Sequence, residues 1–419
     1  MRVARSTVLM ICVVLLLAKT ILAEGALYLR DGDRVVFYGD SITDQRLYTT
    51  FVETFVLTRF PQWKVDFVHS GWGGDRVTGG GGGPIDLRLR RDVLAYRPTV
   101  MTIMLGMNDG SYRAWDERIF ETYRKGYQHI LDVMKSSVPG VRITLIQPSP
   151  FDDVTRPPEF EGGYNSVLQR YGEFVRQLAQ QENMGVADMN APVVAVLQRA
   201  KALEPEGAKD LIPDRVHPET GGHLLMAAAL LNAWNVPAVV SSVEIDAAKL
   251  SVLKSQNTDV MGLKKNGPLS WTQTDRSLPM ALDPGDVTVR LALRASDFTE
   301  ALNQQILKIL GLANGRYRLT IDGESTGAFT HKELAEGINL SALPTPMAKQ
   351  AMAVHELTIK HNNLHYDRWR EVQVPFEKDP LPGVPQAMEA LDRLESEVIA
   401  RQRALAQPKS RRFELISVE

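Results

Sequence analysis

The sequence predicts an α/β fold: a parallel sheet covered on both faces by helices, followed by a C-terminal accessory region of β-strands and a helical hairpin. Three observations carry this expectation. Between Arg34 and about Trp234, short apolar runs alternate with amphipathic helix-like stretches. Several of those runs stop abruptly at Gly, Asp, Ser or Asn, residues from which a strand interior gains nothing. After about Val240, turn formers and alternating segments replace the first pattern.

Taken in order, Arg2 and Arg5 precede the apolar run "VLMICVVLLLA" (Val8 to Ala18), and small residues follow in "KTILAEG". This reads as a secretory signal peptide over residues 1–23, cleaved near Ala23, and it implies a secreted or periplasmic protein. The alternative is a retained membrane anchor, but Lys19 interrupts the run well short of the ~20 residues a span needs. The single cysteine, Cys12, lies inside this segment. A mature exported chain would therefore carry no disulfide, thiol nucleophile or thiolate metal site. With 419 residues, 44% hydrophobic and 23% charged, and a net charge of −2, the chain has no general attraction for nucleic acid or anionic lipid. Its expected partner is a small-molecule or polysaccharide substrate, with no stable membrane insertion after signal cleavage; no oligomeric state follows from the sequence.

A first domain is expected over 24–240. Its strands are "RVVFYG", "VDFVHS", "VMTIMLG", "RITLIQP" and "GVADM", with helices including 116–135 and 160–183. A small β-rich accessory module is expected over 241–340. Here "NTDVMGLKKNGPLSWTQTD" reads as a linker, while "DVTVRLALR" and "GRYRLTIDG" read as half-buried strands, the former with Val287, Val289, Leu291 and Leu293 on one face. A helical region, 341–419, closes the chain as two helices, about 345–371 and 385–406, separated by the Pro-rich "PFEKDPLPGVP".

In parallel sheets, ligands collect at the carboxyl ends of the strands. The stretches "YGDS", "HSGWGGD" and "LGMND" end three strands and converge on that edge. Ser41 follows a strand and precedes a helix, where amide groups favour developing negative charge. Its hydroxyl needs a base. Asp214 and His217, three residues apart in "IPDRVHPETGGH", fit that need: the carboxylate can hold one ring nitrogen and leave the other for Ser41. Each residue also has a plainer reading: a helix cap for Ser41, a loop cap for Asp214, a surface imidazole for His217, a tight turn for Gly74, a self-bonded turn for Asn108.

Four ordered stretches, "GDSITD", "GWGGDRV", "GMNDG" and "DRVH", resemble the SGNH hydrolases, or GDSL esterase/lipase family, over residues 34–235. The resemblance implies a flavodoxin-like three-layer α/β/α domain and a carboxylic ester hydrolase without a cofactor. It assigns catalysis to Ser41, Asp214 and His217. It assigns the oxyanion hole to the backbone N–H groups of Ser41 and Gly74 and the side-chain amide of Asn108, with a two-step acyl-enzyme mechanism. The expected substrate is a short-chain, first of all acetyl, ester on a carbohydrate. A lipase or lysophospholipase of the same family, or a non-catalytic carbohydrate-binding protein on this scaffold, is the alternative.

Around these motifs, Trp72 and Arg76 are candidate substrate contacts, Trp72 either stacking on a sugar ring or packing. Five glycines, 79–83, are either a flexible loop or a substrate-adjacent one. Asp40, Asp44, Asp75 and Asp109 read as loop braces. Asp152, Asp153 and Arg156 either meet substrate or solvate their loop. His361, His365 and Trp369 share a helix face; with no Glu in the metalloprotease position, packing is expected there and no metal site is assigned. A metal phosphoesterase built on Asp40, Asp214 and His217 would want further His/Asp clusters, which the sequence lacks.

Overall fold

The computed structural model describes residues 26–418, so the expected signal segment lies outside the described residues. The apolar runs form a five-stranded, all-parallel sheet. In spatial order its strands are Asp66–Gly71, Arg34–Gly39, Val100–Met104, Arg142–Ile146 and Gly185–Ala187. This is the 2-1-3-4-5 order of flavodoxin-like sheets, and the order reverses beside the first strand. Val35, Val36, Phe37 and Tyr38 are fully buried, as a strand covered on both faces requires. Helices Leu47–Arg59, Glu117–Ser137, Gly163–Gln181, Ala191–Leu203 and Thr220–Ala233 join that core through residues such as Phe55, Tyr127, Leu168, Leu197 and Leu230.

Two further sheets follow. Thr258–Lys265, Leu269–Asp275, Arg411–Ser417, Arg316–Ile321 and Glu324–Thr330 form an antiparallel sheet in that order. Ile338–Asn339, Gln304–Leu310, Val239–Asp246 and Ser251–Gln256 form a mixed one. Val243, Ile245, Leu307 and Ile309 from one meet Trp271, Leu319, Ile321, Phe413 and Leu415 from the other in a second apolar core. The strand at 411–417 lies between two earlier strands, so the final described segment completes the accessory module.

Two local expectations are corrected. The stretch read as a linker is a hairpin, Thr258–Lys265 with Leu269–Asp275; its turn formers mark the bend at Gly267, whose φ is +83°. The stretch "DVTVRLALR" is helix Val287–Arg294 rather than a strand. Asp286 caps it by accepting from the amides of Thr288 and Val289. It buries Thr288, Val289, Leu291 and Ala292, a helical spacing, and leaves Val287 exposed. Val289, Leu291 and Ala292 join the first domain's core rather than the accessory one.

The two late helices, Pro346–Tyr366 and Val384–Ala406, pack as a hairpin, and the first also lies against helix Leu47–Arg59. The first ends in a π-helical turn, Asp367–Gln373, in which the Val374 amide reaches the Trp369 carbonyl.

Candidate active site

Strand Arg34–Gly39 ends directly at Asp40, whose carboxylate caps the short helix Ser41–Asp44 by accepting from the Ile42 amide at 3.1 Å. That cap sets the Ser41 hydroxyl at the sheet's carboxyl edge. A Cβ on Gly39 would lie 2.8 Å from the Met104 carbonyl oxygen, and one on Gly71 would lie 2.2 Å from the Asp44 amide nitrogen. Only bare backbone lets these strand ends approach so closely.

The Ser41 Oγ lies 2.8 Å from His217 Nε2, and His217 Nδ1 lies 2.6 Å from Asp214 Oδ2. The other Asp214 oxygen accepts the backbone amides of Val216 and His217, at 2.9 and 2.7 Å. One carboxylate thus folds its own turn and orients the ring. Burial alone would raise the Asp214 carboxyl's pKa, but hydrogen bonds from the His217 ring and the two amides bring it below the usual carboxylate value. An alcohol, an imidazole and a carboxylate in series form the array that makes a serine nucleophilic.

The 211–217 loop is held from behind. Arg215, at φ +72°, donates to the carbonyls of Asp152 and Pro157. Arg156 donates to the carbonyls of Ile212, Pro213 and Lys209, and pairs with Asp152 at 3.1 Å. Asp152 is fully buried and caps its own turn. Arg156 and Asp152 therefore brace the histidine loop, a role that neither sequence alternative contained. Asp153 accepts from the Asn165 amide and lies 3.6 Å from Arg215.

Gly74, at φ +76°, is the third residue of a turn closed by the Asp75 amide on the Trp72 carbonyl. Asn108 follows the third strand; its side-chain N–H donates to the Asp75 carbonyl at 3.1 Å, which fastens it to the Gly74 turn. Its Oδ1 accepts from the Tyr112 hydroxyl at 3.0 Å. Ser111 and Tyr112 both have left-handed backbones, φ +58° and +53°, a strained pair that aims this hydroxyl. No motif announced Tyr112.

The four aspartates act as braces. Asp44 accepts from the Gly73 amide, Asp75 pairs with the fully buried Arg88 at 2.7 Å, and Asp109 accepts from the Val77 amide. Burial pushes the carboxyls of Asp40 and Asp109 up to about 7.

Trp72 takes the packing alternative: Arg370 lies 3.5 Å above its ring centre, Trp369 meets it edge-on, and a Cβ on Gly82 would strike it at 2.6 Å. The glycine run is therefore a packed ribbon, Gly79–Gly80 against Gly83–Pro84, that seats on Trp72 and Arg88. Arg76 is exposed beside Gly74. His361 is buried against Glu53 at 2.8 Å and Glu395 at 3.1 Å, and His365 stacks on Trp369. Among the described residues, no cluster of three or more His, Cys, Asp or Glu could hold a metal ion.

A cleft of about 470 Å³ opens over this array, lined by Ser41, Asp44, Gln45, Arg46, His217 and Tyr366. Tyr366 comes from the C-terminal hairpin, a contribution that the sequence reading did not foresee.

A flavodoxin-like sheet with such an array at its switch point defines an α/β/α hydrolase. Residues 37–225 match the GDSL-like Lipase/Acylhydrolase family. That stretch, less than half of the chain, carries a GDSL-like lipase/acylhydrolase domain, and the protein is a carboxylic ester hydrolase. It is 27% identical over 220 residues to an acetylxylan esterase from Geobacillus stearothermophilus, covering 48% of this chain and 93% of that protein. It is also similar to the solved structure of BT4096, a gut microbial diltiazem-metabolizing enzyme, at 25% identity and a TM-score of 0.80, covering 93% of this chain and 98% of that one.

Proposed function

We propose that the protein is an exported serine esterase that removes short acyl groups, acetyl first, from carbohydrate alcohols. The observation that carries the reading is the 2.8 Å contact between Ser41 Oγ and His217 Nε2, continued to Asp214 at 2.6 Å. Ser41 Oγ attacks the ester carbonyl carbon while His217 Nε2 takes its proton. The carbonyl oxygen, now an oxyanion, is held by the N–H groups of Ser41 and Gly74 and the side-chain amide of Asn108. Collapse breaks the bond to the alcohol, which leaves with the proton from His217. Water then adds to the acyl-serine, His217 takes and returns one proton, and the carboxylic acid departs.

The likeness to an acetylxylan esterase supports the acetyl and carbohydrate part of the reading. Arg76, exposed beside Gly74, is the proposed rim contact for substrate, with Trp72 supporting the turn from below. The test is hydrolysis of p-nitrophenyl acetate, of a series of longer acyl esters, and of acetylated xylan. Ser41→Ala should abolish all turnover, rates should fall with acyl length, and acetate should be released from the polymer. Turnover that survives Ser41→Ala, or a preference for long acyl chains, defeats the proposal.

A further inference from the structure

The cleft over Ser41 is lined by Asp44, Gln45, Arg46, His217 and Tyr366. In the mechanism proposed above the Gly74–Asn108 turn takes the carbonyl oxygen, and this cleft is the histidine side. In acyl transfer the histidine that received the nucleophile's proton must hand it to the departing alcohol. The alcohol part of the ester therefore lies on the histidine side, against Arg46 and Tyr366.

The two arginines on this side are held unequally. Arg370 is committed: it reaches both Asp44 carboxylate oxygens at 3.3 and 3.4 Å and the Gly71 carbonyl at 3.4 Å, and stacks on Trp72. Asp44 is committed in turn, to Arg370 and to the Gly73 amide at 3.1 Å. Arg46 is held more loosely: one nitrogen donates to the Asp44 carbonyl at 2.9 Å and makes a long ion pair, 3.9 Å, with the Asp44 carboxylate. Its guanidinium carbon lies 4.3 Å from the centre of the Tyr366 ring, and both residues line the cleft. Asp367 adds a negative charge nearby, but it is solvent-exposed and forms no ion pair with Arg46.

The backbone sharpens the point. Arg46 has φ +61°, the left-handed region that glycine or asparagine occupies without strain. An arginine held there by its surroundings marks a position where the side chain matters.

We propose that Arg46 and Tyr366 form the alcohol-side subsite, and that this subsite selects esters whose alcohol part carries a carboxylate. The guanidinium fork takes the carboxylate and the Tyr366 ring takes the apolar face of the alcohol's ring. The inference rests on the esterase reading above and narrows it to a substrate class. It also makes the C-terminal hairpin part of the specificity machinery.

The experiment compares 3-acetoxybenzoate with its methyl ester, a pair that differs in one negative charge. Each kcat/KM is divided by the substrate's uncatalysed hydrolysis rate, and p-nitrophenyl acetate serves as the activity control. In the wild-type protein at low salt the anionic substrate should be favoured roughly tenfold, the size of a charge-assisted hydrogen bond. That preference should shrink towards one in 1 M salt, where the screening length is ~3 Å. Arg46→Gln should abolish the preference and Arg46→Lys should retain most of it. A role for Arg46 in holding Tyr366 alone would lower both substrates together and leave the ratio untouched. A wild-type ratio at or below one, or a ratio unchanged in Arg46→Gln, overturns the subsite. The wild-type salt series stands even if a variant fails to fold. An absence of p-nitrophenyl acetate hydrolysis would instead defeat the esterase reading itself.

Discussion

Helix Leu47–Arg59 carries Glu53 into a buried polar contact with the C-terminal hairpin, and replacing one partner should show how much that contact matters. Glu53, 1% exposed, lies 2.8 Å from His361 Nδ1 and 3.0 Å from His69 Nε2, and accepts from Gln402 at 3.1 Å. His361, 4% exposed, also reaches Glu395 at 3.1 Å; Thr358 bonds Gln402 and His365 stands 3.9 Å from Glu395. Burial alone would lower the His361 pKa, yet Glu53 and Glu395 outweigh it and raise it to about 10. Burial alone would raise that of Glu53, yet His361 and His69 bring it down to about 2. The signs then follow. The His361 contribution is full below about 6.5 and is lost as pH rises through about 10; the Glu53 contribution is full above about 4.5 and is lost as pH falls through about 2. Breaking a buried pair costs about 3–5 kcal/mol. His69 and Gln402 remain on Glu53, so His361→Gln should cost about 3 kcal/mol, the low end of that range. Urea unfolding measured from pH 4 to 9 should give its largest difference between wild type and variant at about pH 4.5–6.5, and a smaller one above and below. A difference under about 1 kcal/mol, or one flat across that range, would refute the assignment of a charged pair.

Three other outcomes can be checked. Tyr112→Phe removes the hydroxyl that fixes the Asn108 amide, so kcat should fall about threefold to tenfold at unchanged KM, against the ~10²–10³ loss expected for Asn108→Ala; equal losses, or none, would refute the positioning role. Asp214→Asn keeps the acceptor for the His217 amide but loses the charge beside the ring; with the Asp214 side chain 55% exposed, kcat should fall on the order of 10²–10³, short of the ~10⁴ typical of a buried triad aspartate. Asp40 and Asp109 have raised pKa values, so the stability they confer is full below about 3.8 and lost as pH rises through about 7; melting temperatures of Asp109→Asn should lack part of the wild-type decline over that window, and parallel profiles would refute it.

The site was legible where chemistry forbids ordinary strand residues. Gly39, Asp40 and Ser41 interrupt an apolar run because the strand must end in a cap and a hydroxyl, and "DRVH" spaces a carboxylate and a ring within one turn. The accessory region was less legible because its signals are ambiguous on their own. Alternating "VTVRLALR" fits a strand, yet Asp286 ahead of it supplies a helix cap and the first domain supplies an apolar surface; together these outweigh β-branched propensity at Val287 and Val289. The glycine run carries no side chain from which to read packing; its order comes from Trp72 and Arg88, which lie outside it. Tyr112 depends on a left-handed backbone that its residue type disfavours.

The family resemblance ends near the middle of the chain, but the physical site does not. Trp369 donates to Asp92 at 2.6 Å; Asp92 also takes Arg88 and Arg91, and Arg88 holds Asp75 beside the Gly74 turn. The hairpin is thus wired to the Gly74 turn through buried charge, to helix Leu47–Arg59 through Glu53 and His361, to Asp44 through Arg370, and to the cleft through Tyr366. Buried charges of this kind are costly to leave unpaired. Removing the hairpin would take Trp369 from Asp92, and His361 and Gln402 from Glu53, leaving buried carboxylates short of partners. The second half of the chain is therefore placed to shape the cleft through Tyr366, and to hold the geometry of the first half through Trp369, Arg370 and His361.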